Sequence, residues 1–393
     1  MDKKPNQHFE TQAIRTQMER SSYSEHSSAL HLTSSFVFED AEEMRASFAE
    51  EKQRAIYSRF SNPNTSEFVQ KVVQMEDAED GVAFASGMGA VFATFSTFLN
   101  AGDHILSARA VFGSTHALFT KFFPKWNIET TYFSATEAID HLENLIQPNT
   151  RCIYVESPTN PGVEILDLEA LGKLAKKHNL LFIVDNCFAT PYLQQPIHFG
   201  ADLVIHSATK LMDGQGRVLG GITVGKKELI RALYLFARNT GASLSPFNAW
   251  VLSKSLETLA IRVDRHCDSA LEIAKKLEKH PRINGVKYPF LNSHPQHQLA
   301  LKQMKKGGNI ISFEVKGGLE AGRKFIDATQ LCSLSANLGD SRSIITHPSS
   351  TTHSKLSQEE QSEVGITPGM IRLSVGLEHH EDIWNDLKEA LDA

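Results

Sequence analysis

The chain is poor in cysteine, carries no strong excess of either charge, and has no apolar run flanked by basic residues. Each shortage removes a class of protein. Four cysteines, Cys152, Cys187, Cys267 and Cys332, are scattered through 393 residues with no C-x-x-C and no Cys/His pairing at zinc spacing. That argues against a disulfide scaffold and a structural zinc, and predicts reduced thiols in a cytoplasmic protein. Forty Lys and Arg against 46 Asp and Glu leave a net charge of −6. Such a surface gives no general electrostatic reason to hold nucleic acid or an anionic membrane. The start, MDKKPNQHFETQ, lacks the apolar core of a signal peptide. Residues 81–102 contain no charged side chain, but glycines, hydroxyl residues and acidic flanks favour a buried helix over a membrane span. No GK[ST] is present, and no intact G-x-G-x-x-G follows a strand, so nucleotide binding ranks low.

What is present is a long soluble chain with 41% hydrophobic and 22% charged residues, enough for two or three lobes. Residues 1–60 are polar and Ser-rich and read as an arm that packs on a neighbouring subunit rather than as a domain. From residue 61 to 255 the pattern is regular. SEFVQKVVQMEDA is an amphipathic helix; DHILSA, TRCIYVES, LLFIVDN and ADLVIHS are short apolar runs with polar or Gly boundaries. LDLEALGKLAKKHN, a helix with leucines at 168, 171 and 174, separates two of them. This alternation predicts an α/β body with a mostly parallel sheet covered on both faces. Residues 245–280 read as a long helical pattern with few breaks leading into a C-terminal α/β domain, 256–393, with strands at NIISFEV and MIRLSVG and a final helix EDIWNDLKEALDA.

Parallel strands place their ligands at their C-terminal ends. Three of the predicted strands end in residues that form one chemical set: Asn160 after 152–156, Asp185 at the end of 181–185, and Ser207, Thr209 and Lys210 after 203–206. The intervals 160 to 185 and 185 to 210 are equal, about one strand–helix unit each, so the three loops can lie side by side. A lysine amine can form a Schiff base with an aldehyde, a carboxylate can keep a ring nitrogen protonated, and an amide can donate to a phenolate, as pyridoxal phosphate requires. Singly, each residue has a bland explanation as a helix cap, a solvated lysine or loop composition. The ordered set does not. Upstream, Gly87 and Met88 open an apolar helix whose first N–H groups suit a dianion.

YSRFSNPN (57–64), the Ser-Gly-Met element, ESPTNP, VDNCFATP, HSATK and RLSVGLE occur in order across nearly all the chain after the arm. In this the sequence resembles the Cys/Met-metabolism family of fold-type I, aspartate-aminotransferase-like pyridoxal-phosphate enzymes. The resemblance implies Lys210 as Schiff-base lysine and proton shuttle, Asp185 on the pyridinium nitrogen, Asn160 on the ring hydroxyl, and Gly87, Met88, Ser207 and Thr209 on the phosphate. Tyr57 and Arg59 would reach the phosphate of the neighbouring subunit, implying a homodimer or homotetramer with shared sites, and Arg372 would grip the substrate α-carboxylate. Two positions depart from the family pattern. Phe112 stands where many relatives have a ring-stacking tyrosine, so proton transfers fall to Lys210, with Tyr57 as a second candidate. Asn337 replaces a carboxylate-binding serine. Arg342, where several relatives carry glutamate, is either a selector for a second substrate carboxylate or a solvated surface residue. The implied reaction is γ-replacement, O-succinylhomoserine plus sulfide giving homocysteine plus succinate. The rivals are cysteine as the thiol, an acetyl ester, methionine elimination, or a non-catalytic relative. Cys187 reads as a packed thiol, and His294 and His297 as a poor metal pair; no metal is expected.

Overall fold

β4 (Thr150–Glu156), β5 (Leu181–Asp185) and β6 (Leu203–His206) form where the apolar runs predict them, and nearly every residue in them is buried. The computed structural model describes residues 7–355, 357–363 and 365–393. With β1 (Asp80–Phe84), β2 (His104–Ala108), β3 (Glu129–Phe133) and β7 (Gly221–Gly225) they make a seven-stranded sheet in the order β1-β7-β6-β5-β4-β2-β3. Only β7 runs against its neighbours. Helices cover the sheet. Leu168–Lys177 starts where the Asp167 carboxylate accepts the Ala170 N–H, and it turns Leu168, Leu171 and Leu174 inward, as its leucine spacing requires.

One expectation is corrected. Residues 81–102 are not one buried helix. The first four belong to β1, paired with β7, and the helix begins only at Gly87, capped by Ser86, and ends at Phe98. An apolar run this short carries no periodicity that separates a strand from a helix. The pattern at 245–280 is helical with one break, as Pro246–Leu256 and Leu259–Glu278 meet at Glu257–Thr258.

The C-terminal sheet joins β8 (Ile283–Lys287), β9 (Ile310–Val315), β10 (Ser333–Leu334), β11 (Ile344–Thr346) and β12 (Met370–Ser374) in the order β10-β11-β12-β9-β8. It packs on a core of its own, and the helix Leu259–Glu278 serves both cores. Leu259, Val263 and Cys267 face the first, and Ala270, Ile273 and Leu277 the second. The first part of the arm is docked on the chain itself. Phe9 packs on Tyr192, ring centroids 5.1 Å apart, and buried Glu67 accepts from the Met18 N–H at 2.9 Å and the Ser28 hydroxyl at 2.5 Å. Beyond it, Leu32 and Val37 are 70% and 88% exposed. No described helix is long and apolar enough to cross a membrane.

Candidate active site

The C-terminal ends of β4, β5 and β6 open into a cavity of about 400 Å3. Across the β4–β5 register Glu156 lies opposite Asp185, and β6 delivers Ser207 to the same rim. The turn carrying Lys210 is held from both lobes. Buried Arg262 donates to the Leu211 carbonyl at 2.7 Å. Gly339, in left-handed conformation at φ +72°, approaches so closely that a Cβ there would sit 2.7 Å from the Leu211 nitrogen. A side chain at that position would strain the backbone and collide with it.

Lys210 Nζ donates to Asn337 Oδ1 at 2.6 Å. Burial pushes its pKa down, opposed by Cys187 and reinforced by the positive charge of Arg372. Both lowering causes favour the neutral, nucleophilic amine. Arg372, on β12 and 5% exposed, donates through Nη1 to Asn160 Oδ1 at 3.2 Å and through Nη2 to the Asn337 carbonyl at 3.0 Å. Its Nε is buried with no hydrogen-bond partner among the described residues. A buried N–H without an acceptor is costly, and a planar guanidinium so placed is ready for a carboxylate.

At the other end of the cavity Ser86 Oγ accepts the Gly89 N–H at 3.1 Å. The N–H groups of Gly87 and Met88, at the first two positions of the helix, have no intrahelical acceptor. Ser207 and Thr209 line the same end. A Cβ at Gly87 would lie 2.7 Å from the Ser207 Cβ, so only glycine lets the two loops meet. Asp185, 9% exposed, accepts the Cys187 N–H at 3.0 Å. Burial raises its pKa to about 6, opposed by that N–H and by His206. A buried carboxylate that makes no ion pair among the described residues is suited to a cationic partner.

These three regions call for a dianion, a protonated ring nitrogen and a carbonyl carbon spaced along one small molecule. Pyridoxal phosphate carries all three, and the cavity has room for it. The chain is therefore a pyridoxal-phosphate enzyme on the aspartate-aminotransferase-like fold. The family model for Cys/Met metabolism PLP-dependent enzymes matches residues 10–392, and the chain belongs to that family. It is 45% identical to the O-succinylhomoserine sulfhydrylase of Pseudomonas aeruginosa over 98% of this chain and 95% of that one. It is 44% identical to an L-methionine gamma-lyase of Fusobacterium nucleatum over 92% of each chain. Among solved structures, a putative O-acetylhomoserine (thiol)-lyase from Campylobacter jejuni superposes with a TM-score of 0.94 at 36% identity, covering 98% of this chain and all of that one. It carries N'-pyridoxyl-lysine-5'-monophosphate at its own position 205.

The structure brings Gly87, Met88, Phe112, Asn160, Asp185, Ser207, Thr209, Lys210 and Arg372 around one cavity, with Asn337 bonded to two of them. It does not bring Tyr57, Arg59 or Arg342 there. The Arg59 guanidinium lies over the rings of Tyr57 and Phe60 and donates to the Arg238 carbonyl. The Arg342 side chain is 69% exposed and pairs with Asp340 at 3.1 Å. Sequence reasoning missed Glu156, Phe188 and Leu219, which also line the cavity. Only Glu156 had a signal, since it ends a strand beside Asp185. Cys187 lines the cavity too, and burial pushes its thiol above the ordinary range, which argues against a thiolate nucleophile.

Proposed function

We propose that the chain catalyses γ-replacement on an O-acylated homoserine, with O-succinylhomoserine and sulfide giving homocysteine and succinate. The observation that carries this reading is the Lys210–Asn337–Arg372 group, a desolvated amine 2.6 Å from the Asn337 side-chain amide, with the carboxylate-ready guanidinium on the Asn337 backbone carbonyl. The substrate choice is supported by the sulfhydrylase relative that matches nearly the whole chain.

When bound, pyridoxal phosphate supplies an aldehyde for amine capture and a ring that accepts the electron pair left by a departing proton. Gly87, Met88, Ser207 and Thr209 would hold its phosphate, Asp185 its ring nitrogen, Asn160 its ring oxygen and Phe112 one ring face. Arg372 would fix the substrate α-carboxylate and so aim the Cα–H bond at Lys210. Lys210 Nζ, its pKa pushed down by burial, would take the Cα proton and return it at the end. Phe112 has no hydroxyl, so within this chain Lys210 is the group placed to move protons at the substrate. Tyr57 and Arg59, remote from the cavity of their own chain, would serve a neighbouring copy. The net change replaces the Cγ–O bond to succinate by a Cγ–S bond, and one sulfide proton leaves with the products.

A second reading, elimination from methionine, is favoured by the gamma-lyase relatives of nearly equal identity. A product assay on the purified holoenzyme separates the readings. O-Succinylhomoserine and its O-acetyl analogue are each offered with sulfide and with cysteine, and methionine is offered alone. Homocysteine from the succinyl ester and sulfide, in clear excess, is the expected result. Dominant cystathionine or methanethiol formation moves the activity to a γ-synthase or a γ-lyase.

A further inference from the structure

We propose that Glu156 is a positioning residue that ties the turn carrying Phe112 to the end of β4 and so sets the height of the aromatic ring over the cofactor. Phe112 is 45% exposed and begins a helix of only five residues, Gly113–Ala117, with no side-chain cap. Neither packing nor helix length fixes such a ring. Its carbonyl accepts the His116 N–H locally. Its own N–H donates to Glu156 Oε2 at 2.8 Å across 44 residues of sequence. Among the described residues no other long-range hydrogen bond holds the stretch from Ala110 to Ser114.

Glu156 is suited to be the fixed end of that tie. It is 3% exposed, it ends a central strand paired on both sides, and sites built on strands are held more tightly than sites built on loops. The Asn160 N–H also faces its carboxyl, so one side chain reaches both loops that would flank the ring. A carboxyl at this depth is costly unless its oxygens are engaged. Burial first, and then the neighbouring Asp185, hold its pKa well above the carboxylate range. The geometry uses Glu156 as an acceptor, at the end of the strand opposite Asp185. The inference rests on the proposed placement of the cofactor ring against Phe112.

The test compares Glu156→Gln and Glu156→Ala as holoenzymes, alone and on a Phe112→Ala background. Three quantities are followed: hydrogen exchange at the Phe112 amide, circular dichroism of the bound cofactor in the visible, and kcat separately from KM. Glu156→Ala should speed amide exchange, change the dichroism and lower kcat by on the order of tenfold to a hundredfold, as a displaced contact does. Glu156→Gln, which keeps an acceptor oxygen, should restore most of each. On the Phe112→Ala background the Glu156→Ala effect on kcat should shrink to near nothing, because the ring it positions is gone. Unchanged amide exchange in Glu156→Ala overturns the tie, whatever the cofactor does. Faster exchange with unchanged dichroism overturns the placement of the ring instead. Full additivity with Phe112→Ala, or a Gln variant as impaired as Ala, assigns Glu156 a charge role and overturns the proposal.

Discussion

Asp185 meets opposite demands with and without a cationic partner. In the chain alone its burial lifts the pKa from 3.8 to about 6, a displacement worth about 3 kcal/mol if the unfolded value is the ordinary one. The sign follows from the direction. A carboxyl whose folded pKa is raised contributes stability below about pH 4 and loses that contribution as pH rises through about 6. The cofactor-stripped protein should therefore be stabilised at pH 7 by Asp185→Asn, and the gain should vanish near pH 4, read as melting temperature across pH. The same substitution should abolish turnover, because a neutral amide cannot keep a ring nitrogen protonated. A stability gain that does not depend on pH would show that Asp185 is not the group responsible. Lys210 and Asn337 make a second case. With the acceptor removed in Asn337→Ala, the amine loses its 2.6 Å partner, and kcat should fall about tenfold while cofactor content is unchanged. A fall confined to KM would place Asn337 with the substrate carboxylate instead. Lys210 and Asp185 were legible in the sequence because strand ends at equal spacing announce them. The environment of Arg372 was not, since its contacts to Asn160 and Asn337 span 212 and 35 residues, and an arginine inside an apolar strand reads equally as a structural ion pair.

At the scale of elements, the three strands that present the site were readable because they are buried on both faces. Each shows as an unbroken apolar run of the right length. β1, β3 and β7 lacked that signature. β3 lies at the edge of the sheet with partly exposed residues. β7 is only five residues between glycines, and Gly221 and Gly225 are required by close approach, since a Cβ at either would lie 2.1 Å from a carbonyl oxygen of Ser86 or Asp202. Glycine there serves packing between neighbours, although from sequence alone it suggests a turn. The helix start at Gly87 follows the same rule and gives a direct test. Gly87→Ala forces the Ser207 loop away from the helix N-terminus, because the added methyl would stand 2.7 Å from the Ser207 Cβ. The proposed phosphate cradle would open by roughly 1 Å, the shift that restores an ordinary carbon–carbon contact. Cofactor affinity should drop at least about tenfold, measured by visible absorbance after equilibrium dialysis, while the fold, whose core lies elsewhere, melts within a few degrees of the parent. Undiminished affinity would mean that the dianion is held chiefly by other groups.

The whole molecule raises a question that one chain does not answer by itself. Around its cavity the described cations are Lys210 and Arg372, and both are engaged away from the Gly87 end. A dianion there would meet only hydroxyls, backbone N–H groups and a helix N-terminus, which is a small positive potential for two negative charges. Meanwhile Arg59 sits on a half-exposed aromatic edge beside Tyr57, outside its own cavity. If a second copy places that edge over the first copy's phosphate, every site draws Lys210 from one chain and Arg59 from the other. Lys210→Ala and Arg59→Ala proteins would then each be nearly inactive alone. Unfolded together and refolded, random pairing makes half the dimers mixed, and each mixed dimer holds one site with both residues intact. Activity should recover to roughly a quarter of the parent value by that counting for a closed two-fold dimer. A site complete within one chain predicts otherwise. The mixture would then show only the average of the two inactive parents, because no exchange of chains could bring Arg59 and Lys210 into one cavity.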